Sequence, residues 1–308
     1  MNGITRRTLF GAAACALAPL AGESRANEQV KPFHFMLNTS TIMGQKLPLM
    51  QQIEVAAKAG YDAIEPWVRD IEQFLKDGGK ATDVKKKIAD SGLTMESAIG
   101  FFEWIVDDEG KRKAALEQAK KTMDVLNQMG GKRLAAPPSG ATNTQPIDLL
   151  SAAKRYRELL DIGQSQGIVP MVEMWGFSKN LSRLGEAALV AIEAGHKNSC
   201  VLADVYHLYK GGSDFAGLKQ LGQASLQVFH MNDYPGNLDR AMIQDKDRVY
   251  PGDGAAPLGT MLKTMKDAGF NGFLSLELFN REYWMQDANL VAKTGLEKMK
   301  KVANKALS

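Results

Sequence analysis

Cysteine is nearly absent from this 308-residue chain, with two in all, and histidine is scarce, with four. Neither sign of charge dominates, since 38 Lys and Arg stand against 35 Asp and Glu. The low cysteine count excludes a disulfide framework, and the charge balance lacks the concentrated basic surface that nucleic-acid binding requires. Nucleotide and serine-hydrolase signatures are missing as well. There is no G-x-G-x-x-G after the first strand, no phosphate-cradling G-x-x-x-x-G-K-[ST] and no G-x-S-x-G elbow. Hydrophobic residues make up 44% of the chain, enough for a sizeable globular core.

The apolar run from Gly11 to Gly22 is about half of the roughly 20 residues a membrane span needs, so a stable anchor is not expected. It follows Thr5-Arg6-Arg7-Thr8-Leu9-Phe10 and precedes Ser24-Arg25-Ala26. Paired arginines, a short apolar core and a small-x-Ala end look like a twin-arginine export signal cut after Ala26. The expected organisation is a signal over 1–26 and one domain over 27–308, with a periplasmic or secreted product. Removing Arg6, Arg7, Arg25 and Glu23 leaves 35 basic and 34 acidic groups. Only Cys200 then remains, so no intramolecular disulfide can form.

Beyond the signal, short apolar runs alternate with amphipathic stretches, punctuated by Gly, Pro or Asn. The alternation predicts eight strands: 33–39, 63–65, 94–99, 132–136, 169–173, 201–204, 227–230 and 273–277. The accompanying helices centre on 49–58, 84–91, 114–129, 148–166, 184–194, 215–221, 258–268 and 288–302. Gly60 and Gly269 each follow a helix and precede a strand, the position where a left-handed cap is expected. Eight strand–helix units without a composition break predict a single (β/α)8 TIM barrel.

The late strands carry the chemistry. Glu173, Asp204, His230 and Glu277 each end an apolar run, and a barrel brings strand C-termini to one rim. Any one could be a cap or loop acceptor, but three carboxylates gathered in a low-dielectric place repel unless protons or a cation neutralise them. One divalent ion with mixed oxygen and imidazole ligands resolves this: Mn, Mg or Co, with Zn also suited.

These residues, in this order, resemble the xylose isomerase-like TIM barrels, specifically the branch with ketose 3-epimerases and hydroxypyruvate isomerases. The resemblance spans the mature chain and rests on Val172-Glu173, Asp204-Val-Tyr-His207, His230-Met-Asn-Asp233, Arg248-Val-Tyr-Pro251-Gly252-Asp253-Gly254 and Leu276-Glu277. It implies that Glu173, Asp204, His230 and Glu277 bind one divalent metal and that Glu173 and Glu277 also act as acid and base. It further implies that His207 and Arg248 bind substrate oxygens. Family members are often dimers or tetramers, which makes a homo-oligomer an expectation.

Aromatics beside acids suggest sugar-pocket walls, because ring faces stack on the C–H side of a sugar. Glu65 and Trp67 after strand two and Trp175 after strand five are therefore expected to contact substrate. Trp104 and the Asn38-Thr39-Ser40 group fit either a wall or ordinary packing and turn formation. Asp233 is either a partner of His230 or a loop acceptor. The long polar segment 232–254 is expected to cover the site and deliver Arg248. His34 and His196 read as ordinary strand-start and helix-end residues.

The expected activity is an exported, metal-dependent isomerase or epimerase of a small keto or hydroxy sugar, working through an enediolate. A lyase on the same site, which would expel a β-hydroxyl, is the alternative. A sugar-binding protein without catalysis would more naturally show two lobes, and related abasic-site endonucleases need more histidines than this chain has.

Overall fold

The computed structural model describes Met1 and residues 33–307, so the expected export signal and the 26/27 boundary lie outside the described residues. Eight strands, β1 (His34–Asn38), β2 (Ala63–Glu65), β3 (Thr94–Met95), β4 (Arg133–Ala136), β5 (Val169–Glu173), β6 (Val201–Asp204), β7 (Leu226–Met231) and β8 (Phe273–Leu276), form one parallel sheet. Their order is β3-β2-β1-β8-β7-β6-β5-β4. The ring closes where Ala98 N–H donates to the Arg133 carbonyl (3.1 Å) and Ala135 N–H to the Ala98 carbonyl (3.0 Å). The structure is thus the expected TIM barrel.

The helices are α1 (Leu49–Ala59), α2 (Val68–Lys76), α3 (Ala81–Asp90), α4 (Glu109–Gln128), α5 (Leu149–Gln166), α6 (Leu184–Glu193), α7 (Val205–Lys210), α8 (Leu258–Asp267), α9 (Arg281–Trp284) and α10 (Ala288–Leu307). Gly60 (φ 88°) and Gly269 (φ 90°) take the left-handed conformation that stops α1 and follows α8. Among the described residues no helix is long and apolar enough to cross a membrane.

Two differences from the sequence reading matter. The 84–91 reading corresponds to α3 alone, and α2 is an additional helix directly after Trp67. The sixth helix was expected at 215–221, but that segment is a 3-10 turn (Phe215–Gln220), while α7 begins immediately after Asp204. The cause is local: the Asp204 carboxylate accepts the His207 N–H (2.8 Å), capping a helix with no intervening loop.

A strand has period two, so alternate residues face the barrel axis. Met36, Ala63, Met171, Leu202 and Val228 pack together inside the ring. Two residues further along the same strands come Asn38, Glu65, Glu173, Asp204 and His230, all buried. Phe273 packs against the inner cluster, and the same step from it leads to Ser275 and then Glu277. One apolar layer is thereby overlaid by one polar layer at the strands' C-terminal ends. Cys200 lies within the apolar layer, where burial pushes its thiol up to about 12 and keeps it neutral.

Candidate metal centre

The polar layer brings three of the four expected ligands together. Ligand atoms of Asp204, His230 and Glu277 all lie within 4.8 Å of one another, from the ends of β6, β7 and β8. His230 Nδ1 is 3.1 Å from Glu277 Oε2 and 4.0 Å from Asp204 Oδ2, yet it makes no hydrogen bond. A buried ring nitrogen set between two carboxylates, with no well-aligned hydrogen bond to either, suits a cation. Glu173, at the end of β5, lies outside that 4.8 Å set but senses its charges.

The electrostatics of these groups suit a cation among them. Burial, together with the Glu277, Asp204 and Glu65 charges, pushes the Glu173 carboxyl up to about 8, and His230 only partly offsets this. Burial likewise raises Asp204 against the pull of Arg248. Glu277 goes the other way, because His230 and Arg248 overcome its burial and hold it near 2. His230 is raised well above its ordinary value despite burial, through Glu277 and Glu65. Four carboxyl groups thus share one imidazole and one guanidinium.

The donor set of three carboxylates and one imidazole therefore fits a divalent ion. Its far side is also fixed. His230 Nε2–H donates to Glu65 Oε2 (3.0 Å), which also accepts from Asn38 Nδ2 (2.9 Å) and Ser275 Oγ (2.7 Å). Glu65, expected to contact substrate, turns this oxygen to His230 and keeps Oε1 buried without a hydrogen-bond partner. The side chain is wholly buried and its Oε2 takes all three donors, so it orients the imidazole.

Segment 232–254 carries Arg248 to the strand-end acids. Its guanidinium donates to Asp204 Oδ2 (3.0 Å), Glu277 Oε2 (2.8 Å) and Asp245 Oδ1 (2.6 Å), and it lies over the Tyr206 ring at 4.4 Å. Asp233 is the loop's fastener, not a partner of His230. It accepts backbone N–H groups of Tyr234, Gly252, Gly254 and Ala256 at 2.8–3.1 Å. A side chain at Gly254 would strike Asp233, with an added Cβ only 2.4 Å from its carboxylate oxygen.

His207 is held by Gly176, whose N–H donates to Nδ1 (3.2 Å). Its other ring nitrogen, Nε2, faces Arg248 Nη2 at 3.3 Å; a neutral imidazole has one acceptor nitrogen, so the Gly176 N–H and the guanidinium compete for it. Burial and Arg248 keep this ring's pKa well below the ordinary value. Only glycine fits at 176, because a Cβ would lie 2.4 Å from the His207 carbonyl.

Trp67 and Trp175 join a collar of rings around the rim. Trp67 meets Phe101 at 5.2 Å, Phe101 meets Trp175 at 5.5 Å, and Trp175 stacks on Phe177 at 5.3 Å. Phe177 contacts His207 at 5.5 Å, while Trp67 also reaches Phe279 at 6.0 Å, which lies 5.0 Å beneath the Arg248 guanidinium. The Arg248–His207 contact closes the circle. Trp104 is not in it, being fully buried, bonded to the Pro137 carbonyl (2.8 Å) and packed near Tyr156.

Sequence reasoning did not single out Phe177, Phe279, Asn232 or Asp245. Phe279 was marked by a repeated spacing: Glu65-Pro66-Trp67, Glu173-Met174-Trp175 and Glu277-Leu278-Phe279 each set an aromatic two residues beyond a strand-end glutamate. Asn38, left open between turn and contact, links the layers. Its amide donates to Glu65 and Glu277 (2.9 and 3.1 Å) and accepts from Trp67 Nε1 (3.1 Å).

Comparison with known proteins gives a match of residues 53–302 to the family model described as xylose isomerase-like TIM barrel. Inosose isomerase of Bacillus velezensis is 29% identical over 263 residues, covering 83% of this chain and 92% of that protein. The 3-dehydroshikimate dehydratase of Pseudomonas aeruginosa is 24% identical over 256 residues, 82% of this chain but 39% of its own length. Among solved structures, the IOLI protein with a bound zinc atom superposes with a TM-score of 0.82 at 24% identity, covering 90% of this chain and all of that one.

Proposed function

Because this chain belongs to the xylose isomerase-like TIM barrel family, and because it gathers an imidazole and acidic groups at one rim, we propose that it is a divalent-metal-dependent sugar isomerase or epimerase. The observation that carries this is the buried Asp204, His230 and Glu277 set, with an imidazole nitrogen held between the two carboxylates. Those three residues, with Glu173, would hold the ion. When bound, it would polarise a carbonyl and the adjacent hydroxyl, making the intervening C–H more acidic and favouring an enediolate.

The chain's own groups supply the rest. Glu173 and Glu277, reaching the site from β5 and the end of β8, take a proton from one carbon and return one to another atom or face. His207 and Arg248 hold substrate oxygens. Glu65 and Asn38 keep His230 and Glu277 in place, and the aromatic collar shields the reacting carbon from water. The proposed ion is Mn, Mg, Co or Zn, and the proposed substrate is a small keto or hydroxy sugar. Export through the twin-arginine route, with a mature domain starting at residue 27, completes the proposal.

Elemental analysis of the mature protein and solvent-deuterium wash-in with candidate ketoses test this reading. About one equivalent of metal and deuterium entering unreacted substrate would support it. Metal-free protein whose melting ignores added Mn, Mg, Co and Zn would overturn it. The similarity to a dehydratase favours one second reading, loss of a β-hydroxyl from the same enediolate. Release of an ultraviolet-absorbing enone would identify it.

A further inference from the structure

Three carboxylates share the Arg248 guanidinium, and one of them stands outside the candidate ligand set. Nη1 donates to Asp204 Oδ2 and Glu277 Oε2, whereas Nη2 donates to Asp245 Oδ1 at 2.6 Å. An ion bound by Asp204 and Glu277 would draw on the groups that hold Nη1. Asp245 is no part of that set, so its hold on Nη2 does not depend on what those two carboxylates bind.

The chain around this contact is short and well tied. Asp245–Asp247 is a 3-10 turn in which the Arg248 N–H donates to the Asp245 carbonyl (3.2 Å) and the Asp247 carboxylate accepts the Gln244 N–H (2.8 Å). Asn280 Nδ2 donates to the Arg248 carbonyl (3.0 Å) and fastens the end of the turn to the segment after β8. Asp245 therefore grips Arg248 through backbone and side chain together. The Tyr206 and Phe279 rings, 4.4 and 5.0 Å from the guanidinium carbon, restrain its faces. Nε makes no hydrogen bond, which leaves the in-plane orientation to the two amino ends. Nη2 is also the end that faces His207, 3.3 Å from Nε2. The two side chains proposed to hold substrate oxygens thus meet at the nitrogen that Asp245 fixes.

We propose that Asp245 is a positioning residue: it acts through Arg248, setting the guanidinium beside His207 so that the pair meets the oxygens of a ketose. This rests on the isomerase reading above and adds the residue that orders its substrate-binding pair. Without the Asp245 carboxylate the guanidinium turns in its plane, and the spacing between the two oxygen-binding groups is no longer fixed. The Asp245 side chain is 40% exposed, so its removal should cost about tenfold in substrate affinity, the low end for a hydrogen bond between charged groups.

The test compares the metal-loaded mature protein with its Asp245→Ala and Asp245→Asn variants. Asp245→Ala should raise KM about tenfold for D-xylulose or D-fructose, whichever the parent protein turns over by deuterium wash-in, with kcat moving less. In an Arg248→Ala background the same change should add nothing, since the carboxylate has no guanidinium left to hold. Asp245→Asn should fall between parent and alanine variant, because its amide oxygen accepts without the charge. Metal affinity, measured by calorimetry, should not weaken. Labelling of Arg248 with phenylglyoxal, followed by mass spectrometry, needs no turnover and should be faster in Asp245→Ala than in the parent protein. An unchanged KM, full additivity with Arg248→Ala, weaker metal binding or unchanged labelling would each overturn the proposal. A parent protein that washes deuterium into neither ketose counts against the isomerase reading instead, and the labelling then judges the hold of Asp245 on Arg248 by itself.

Discussion

Glu65 Oε2 accepts the Nε2 proton of His230 at 3.0 Å, and this pair lies between the apolar barrel interior and the candidate metal centre. By tying up the far ring nitrogen it turns Nδ1 toward Asp204 and Glu277. Glu65→Ala should therefore weaken divalent-metal affinity by about 10- to 100-fold, the usual cost of removing such an orienting group. Competition with a chromogenic chelator measures it, and affinity equal to the parent protein's would remove Glu65 from this role.

Glu173→Gln and Glu277→Gln should each abolish turnover, with losses of about 10²- to 10⁴-fold or more, because an amide can still ligate but cannot exchange the proton. Deuterium wash-in and metal content, measured on the same samples, separate the two effects. A variant with normal wash-in would defeat the acid/base assignment.

His230→Ala should cost more metal affinity than Arg248→Ala. The imidazole presents Nδ1 to the ion, whereas Arg248 offers no ligand atom and acts on the carboxylates and the substrate. Arg248→Ala should instead raise KM. Calorimetric metal titration of both variants gives the order, and a reversed order would show the ligand set to be misplaced.

Metal removal should lower the melting temperature, since ligand binding to the folded state alone adds about 2.7 kcal/mol at a hundredfold excess over Kd. Chelation followed by re-addition of each candidate ion, monitored by thermal melting, checks this and ranks the ions. Unchanged melting through the whole cycle would count against the centre.

Acid stability should depend on Glu96. Burial raises its carboxyl pKa, but Lys132 (2.6 Å) and Arg133 (2.8 Å) outweigh this and leave it lowered. A carboxyl lowered in the folded state contributes stability above its unfolded pKa of about 4.3, and that contribution is lost as pH falls through the folded value. Glu96→Gln should be less stable by about 1–3 kcal/mol at neutral pH and should lose less on acidification. Urea unfolding at pH 7 and pH 3 tests the sign.

Much of this was legible in the chain. Apolar runs set the strands, and β2, β5 and β6 have the expected limits because each is bounded by turn residues or ends in a polar side chain. Where cues were weaker, the fit was looser. Only Thr94 and Met95 of the expected 94–99 strand are regular, because the segment bends away so that Ala98 can pair with β4 and close the ring. The helix at α7 was hidden because its cap, Asp204, was read as a site acid, and a single carboxylate serves as both.

Sequence by itself determined the barrel and the strand-end placement of Glu173, Asp204, His230 and Glu277. Both follow from periodicity, which needs only local residue order. What only tertiary structure decided is which polar groups touch. Glu65 is 165 residues from His230, and Asn38 is 239 from Glu277, so no spacing rule can pair them. The closed barrel brings those ends within 3.1 Å, and burial there makes each group depend on a particular partner, which sets Glu65 against the imidazole of His230.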